Sequence, residues 1–259
     1  MSGESSRPRD WDGRSYDAVA APQARWGAAV LERLVLRGDE RVLDAGCGSG
    51  RVTELLAERL AHGHVIALDG SPAMLGEARR RLERFGDRIT FVDADLREPL
   101  PVDEPVDAIF STATFHWIHD HEALYRHLAA VIRPGGQLVA QYGGGANTAS
   151  VRRVLATIGD GWTGDTFFAW PDETRRWLAA AGFVDAQVWL HEEPTQFEPG
   201  EPFKAFLRTV ILGAHLARLP EDEREPFVEE VAARLPKPEI DYVRLNVTAR
   251  RGTPRRGQG

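Results

Sequence analysis

The stretch Val42-Leu43-Asp44-Ala45-Gly46-Cys47-Gly48-Ser49-Gly50 decides the fold. Two apolar residues and an acid end a short run, glycines alternate, and then Val52, Leu55, Leu56 and Leu60 recur at helical spacing. That pattern reads as strand, sharp turn and helix. Gly46 and Gly48 carry no Cβ, so the backbone there can approach a ligand closely. Many nucleotide-binding folds use such a loop, and three details narrow what this one holds. Asp44 stands two residues before the first glycine, where it would repel the pyrophosphate of a dinucleotide and attract an ammonium group. The spacing is G-x-G-x-G, as Gly46, Gly48 and Gly50 show, not the dinucleotide G-x-G-x-x-G. Asp69 ends the next apolar run, Val65 to Leu68, 19 positions after Gly50, where an acid can accept both ribose hydroxyls.

A phosphate-free adenosine with a charged amino-acid tail fits all three details, and S-adenosylmethionine is such a ligand. Further along, the strand Ile89 to Val92 runs into Asp93-Ala94-Asp95. Asp95 can accept from an adenine amino group, with Leu96 and Met74 as apolar walls to the ring. Ser71-Pro72 opens the helix that carries Met74, since Ser caps and Pro suits the first helical position. Val106 to Phe110 is a fourth strand leading into Ser111, which joins the candidate cofactor set; Glu122 to Ile132 is a helix stopped by Arg133-Pro134-Gly135-Gly136. Gln137 to Tyr142, Val184 to Leu190 and Tyr242 to Ala249 complete the strands. The alternation predicts a Rossmann-like, doubly wound α/β fold with a mostly parallel seven-stranded sheet. Two amphipathic helices, about Phe203 to Leu219 and Glu221 to Leu235, are expected as a helical lid inserted before the last strand, in the region about 200–238. One domain over 11–251 is expected, with tails at 1–10 and 252–259.

Asp44-Ala-Gly-Cys-Gly-Ser-Gly50, Ala67-Leu-Asp69-Gly-Ser-Pro-Ala-Met74, Asp93-Ala-Asp95-Leu and Arg133-Pro-Gly-Gly136 resemble the four consecutive motifs of class I S-adenosylmethionine-dependent methyltransferases. The resemblance spans about Val42 to Tyr142. It implies that Asp44 and the glycines hold the methionine portion, Asp69 the ribose and Asp95 the adenine, with S-adenosylhomocysteine as product. A narrower resemblance, to trans-aconitate and juvenile hormone acid methyltransferases, rests on Trp11 to Tyr16, on Thr114-Phe-His-Trp117-Ile-His-Asp120-His121 and on Val243 to Arg251. It departs from the trans-aconitate pattern at His116, where Gln is usual. A second departure is Gln23-Ala-Arg25-Trp26-Gly27, where a more basic Arg-Pro element is usual.

The implied chemistry is in-line displacement, in which alignment of the two reactants and exclusion of water do most of the work. A carboxylate acceptor is already a nucleophile, whereas a hydroxyl or a protonated amine needs a base. Carboxyl methylation of a small molecule is therefore the first expectation. Hydroxyl or amine methylation, with His116 as the catalytic base, is the alternative, and a non-catalytic cofactor-binding protein is the alternative of another class. Tyr16 is expected to close over the cofactor, and Trp117, Tyr242 and Arg244 to meet the acceptor. Trp162, Phe167, Phe168, Trp170, Trp177 and Trp189 divide between core and acceptor pocket. For His119-Asp120-His121, helix capping by Asp120 is preferred to a metal site.

The formal net charge of −7 argues against nucleic acid as the main partner. The one cysteine, Cys47, allows no intramolecular disulfide or thiolate cluster. No run reaches membrane-spanning length and no signal-peptide core is apparent, so a cytoplasmic monomer or homodimer is expected.

Overall fold

A computed structural model describes residues 21–253. Its strands are β1 (Arg41–Ala45), β2 (His64–Asp69), β3 (Ile89–Asp93), β4 (Val106–Thr112), β5 (Ile132–Gly143), β6 (Phe183–Glu192), β7 (Thr195–Gln196), β8 (Glu239–Ile240) and β9 (Val243–Arg251). Seven of them form one sheet in the order β3-β2-β1-β4-β5-β9-β6, while β7 and β8 pair separately. The five strands β1 to β5 run parallel. β9 enters antiparallel between β5 and β6. The expected sheet is therefore observed.

Burial on both faces explains the near-continuous apolar runs of the central strands. Val42, Ala67, Ala108, Phe110 and Val139 face one layer, packed by the helices Ala21–Leu31, Arg51–Arg59 and Pro72–Leu82. Leu43, Ile66, Ile109, Leu138, Ala140 and Val247 face the other, covered by the helices His121–Val131 and Pro171–Ala180. The helix Pro72–Leu82 starts as its sequence requires, with the Ser71 hydroxyl accepting from the Met74 amide at 3.2 Å. Inside the second layer the Tyr125 and Tyr142 hydroxyls hydrogen-bond each other at 2.8 Å, which satisfies two polar atoms buried among hydrocarbon.

A third core unites Trp26, Val151 and Leu155 with Phe203, Phe206, Leu212, Val228, Val231 and Tyr242. It joins the helices placed between β6 and β9 to the helices Ala21–Leu31 and Ala149–Leu155. The expected single helix from Phe203 to Leu219 is broken into Glu201–Phe206, a π turn at Leu207–Ile211 and Gly213–Leu216. The break has a visible cause in the backbone: the Leu212 amide reaches back to the Leu207 carbonyl at 2.7 Å, one residue beyond α spacing. Glu221–Arg234 is continuous, as the periodicity suggests. Gly252 still bonds through its amide to the Gly182 carbonyl, so the sheet's order extends one residue into the expected C-terminal tail. Among the described residues, no helix is long and apolar enough to cross a membrane.

Candidate active site

The C-terminal ends of β1, β2, β4 and β5 lie along one edge of the sheet, where open α/β sheets place ligands. Because β9 is antiparallel, its start reaches the same edge, with Arg244 opposite Gly143.

On the β1 and β2 side the loop is held by few, specific bonds. The amides of Gly46 and Cys47 donate to the Leu68 carbonyl at 2.8 and 2.9 Å. Gly46 has φ +88, and a Cβ there would fall inside the Thr114 side chain. Gly48, with φ +55, faces open space. Only a residue without a side chain meets both demands at Gly46. The Gly48 amide donates to Asp69 Oδ2 at 2.8 Å and the Ser71 amide to Asp69 Oδ1 at 2.9 Å. These bonds fix the carboxylate at the strand end. Burial raises the Asp69 pKa, and the amide donors work against that rise.

Asp44 is fully inside, 2% exposed, with the Thr53 hydroxyl donating to Oδ2 at 2.7 Å. Burial pushes its carboxyl up to about 7, Thr53 pulls it down and Asp69 pushes further up. A buried acid raised in this way gains when a cation sits beside it. The ammonium of an amino-acid tail is such a cation. The residues present therefore fit S-adenosylmethionine.

Asp95 takes both the Nε and a terminal nitrogen of Arg97, at 2.9 and 2.6 Å to Oδ2. Burial alone would raise its pKa; the Arg97 hydrogen bonds and charge outweigh that and leave it lowered. Met74 and Leu96 are buried nearby in sequence to these acids, 6% and 5% exposed. Ser111 spends its hydroxyl on the Ala45 carbonyl at 2.6 Å, bracing β4 against β1 behind the glycine loop. Its contribution is thus made through the scaffold. Tyr16 and the Trp11 to Tyr16 segment lie outside the described residues.

Past β4 the chain turns through Ala113, whose φ of +56 is unusual for a residue with a side chain. This turn brings Thr114 Oγ1 within 3.2 Å of the Gly46 carbonyl and 3.0 Å of the Thr112 carbonyl. Sequence reasoning gave Thr114 no role; only the missing Cβ at Gly46 hinted that something must pack there. His116 follows in a short 3₁₀ turn, Phe115–Trp117. Its ring neighbours those of Trp117 and Phe168, both tilted to it, at centroid distances of 5.0 and 6.1 Å. Burial, then the charge of Arg244, then His121 push its pKa down to about 3. Trp117 itself is well exposed, at 39%.

Arg244 is buried, 4% exposed, with its guanidinium 5.0 Å over the Trp26 ring. Tyr242 meets Trp26 edge-on at 5.1 Å and belongs to the third core. The two residues thus share Trp26; Arg244 also bears on His116, and Tyr242 also packs among the helices. A polar chain missed by the sequence reading stands beside Arg244. Gln141 and Arg33 both donate to Asn246 Oδ1, at 2.8 and 2.5 Å, and Arg33 also covers Trp189.

The remaining candidates take structural places. Asp120 caps its helix by accepting from the Ala123 amide at 2.8 Å, as preferred. His121 bonds the Phe115 carbonyl at 3.0 Å and is packed by Phe167 and Trp177. Trp162 stacks on His215, and Trp170 is exposed. Phe168 alone of that aromatic group contacts the His116 ring.

Comparison with known proteins agrees with this geometry. Residues 42–136 match a family model described as a methyltransferase domain. A trans-aconitate 2-methyltransferase of Methylobacterium nodulans is 36% identical over 189 residues, covering 70% of this chain and 71% of that one. The Escherichia coli enzyme of the same name is 37% identical over 132 residues, about half of each chain. Among solved structures, Haemonchus contortus phosphoethanolamine N-methyltransferase 2 with S-adenosylhomocysteine superposes with a TM-score of 0.64 at 18% identity, covering 93% of this chain and 57% of that one. At that identity the likeness concerns the fold. With the relative's 71% coverage, the motif match and the acid-and-glycine geometry in agreement, the chain belongs to the class I S-adenosylmethionine-dependent methyltransferases.

Proposed function

We propose that the chain methylates a carboxylate oxygen of a small organic acid, giving a methyl ester. When bound, S-adenosylmethionine supplies an electrophilic methyl group on a sulfonium. Asp44 would hold its ammonium, Asp69 its ribose and Asp95 its adenine, all in the β1 to β3 half. The observation that carries the acceptor reading is Arg244, a buried guanidinium three strands across from Asp44 at the same edge. Strand spacing makes that offset about 14 Å. A fixed guanidinium is suited to orient a carboxylate through its planar fork.

His116 supports the same reading from another side. With its pKa pushed down to about 3 it is a poor proton acceptor near neutrality, whereas hydroxyl and amine acceptors call for a base. A carboxylate calls for none. The name shared by the two relatives, trans-aconitate 2-methyltransferase, also denotes an acid acceptor. The helices from Glu201 to Arg234 would cover the acceptor side as a lid, tied to Arg244 through Trp26 and Tyr242.

The test is transfer of radiolabelled methyl from S-adenosylmethionine to a panel of organic acids that includes trans-aconitate, followed by mild alkali. Release of the label as volatile methanol is expected. Label that survives alkali on the product overturns the ester reading and points to a hydroxyl, amine or carbon acceptor.

A further inference from the structure

We infer that His116 is a fixed hydrogen-bond donor, presenting its Nε2–H to the acceptor carboxylate as a positioning residue. The inference rests on the ester reading for the identity of the acceptor; the state of the ring rests on geometry alone. The Gly143 amide, at the end of β5, donates to His116 Nδ1 at 3.4 Å. A backbone N–H has no acceptor capacity, so Nδ1 must keep its lone pair and the single proton of the neutral ring sits on Nε2.

Each alternative state costs this hydrogen bond. Protonating Nδ1 would set one N–H against another. Turning the ring over would place a C–H against the Gly143 amide, leaving a buried donor unsatisfied. The ring has little freedom to relax, since the Trp117 and Phe168 rings crowd it at centroid distances of 5.0 and 6.1 Å and the Phe167 amide holds the His116 carbonyl at 2.9 Å. Gly143 is itself shaped for this contact: a Cβ there would come 2.9 Å from Phe168 Cε1 and 2.8 Å from Asn147 Nδ2. The titratable groups bearing on the ring are Arg244 of β9 and His121 of the helix His121–Val131, and both oppose a positive charge. A general base must offer a lone pair to the acceptor, and the ring's only lone pair is taken by Gly143. No proton changes hands at His116. The carboxylate oxygen forms the new O–C bond, and the electron pair of the broken C–S bond stays on sulfur.

Two measurements test this. In the full chain labelled with ¹⁵N-histidine, two-bond ¹H–¹⁵N spectra should show His116 as the Nε2–H tautomer, unchanged between pH 6 and 8, with His116→Gln identifying the signal. The Nδ1–H tautomer, or titration in that range, overturns the inference. In kinetics at saturating S-adenosylmethionine, His116→Gln keeps a donor and lacks a base, so kcat/KM for the acceptor should stay within about fivefold of the parent. His116→Ala should lose about tenfold to hundredfold, with affinity for S-adenosylhomocysteine unchanged in both. A Gln variant as impaired as the Ala variant, with that affinity intact, overturns the inference while leaving the ester reading standing. Alkali-stable product overturns the ester reading, and the tautomer is still decided by the spectra.

Discussion

Asp44 and Asp69 end neighbouring strands, and Asp95 follows the third, all in one half of the sheet. In the other half, polar residues from segments far apart in the chain meet: Gln141 and Asn246 bond across 105 positions, and Arg33 reaches Asn246 across 213. The two halves also differ in charge. Acids line the first, and the second holds a buried guanidinium and an imidazole kept neutral. The contrast suits a cation-bearing cofactor on one side and an anionic acceptor on the other. It also sets how each half can be disturbed without the other.

The largest effect is expected at Asp44. Asp44→Asn leaves a buried ammonium without its counter-ion, a loss of about 3–5 kcal/mol, so affinity for S-adenosylhomocysteine by calorimetry should fall more than a hundredfold. The same change should stabilise the ligand-free protein. The folded pKa, about 7, lies above the ordinary 3.8 of an Asp carboxyl, so the ionised carboxyl costs stability fully above pH 7 and not at all below about 4. The thermal midpoint should therefore rise at pH 8 and not at pH 4. A midpoint unchanged at both would show that burial of this acid carries no such cost.

Next comes the opposite half. Arg244→Leu should raise the acceptor KM by about tenfold to hundredfold, the scale of one hydrogen bond to a charged group. Arg244→Lys, which keeps the charge and loses the fork, should fall between. Affinity for S-adenosylhomocysteine should be unaffected in both variants. Equal losses of cofactor and acceptor affinity would show that the halves are not separable in this way.

The smallest effect is a pH dependence confined to the acidic half. Asp44 must give up its proton to pair with the ammonium, so affinity for S-adenosylhomocysteine should be level above pH 7. Below that it should fall by up to tenfold per unit. The Asp44→Asn variant should lose this slope. A slope that persists in the variant would assign it to another group.

The same contrast explains what the sequence could say. Asp44, Gly46, Gly48 and Asp69 make their contacts within one strand-turn-helix unit and its neighbour, so their nearness to one another was legible from spacing. Asp120 and Ser71 are caps with local partners, and both were legible for that reason. Thr114 was not, because its role is to fill a space defined by Gly46 in the distant loop after β1. Gln141, Asn246 and Arg33 look like ordinary strand and helix residues until β9 pairs with β5. Tyr242 and Arg244 are two positions apart and read as one feature; that both meet Trp26, more than 200 positions earlier, no local spacing announces. The broken helix at Leu207–Ile211 escaped notice because its apolar periodicity continues through the π turn.

The position of β9 between β5 and β6 has a consequence for how the molecule is made. During synthesis every strand of the cofactor half emerges before β9, and β6 emerges with no partner beside it until β9 has been added. The last long strand of the described chain must then slot into a gap, making two antiparallel ladders in one step. Ribosome-bound chains ending before Val243 would hold a paired β1 to β5 and an unpaired β6 edge, the kind of exposed edge that chaperones shield from aggregation.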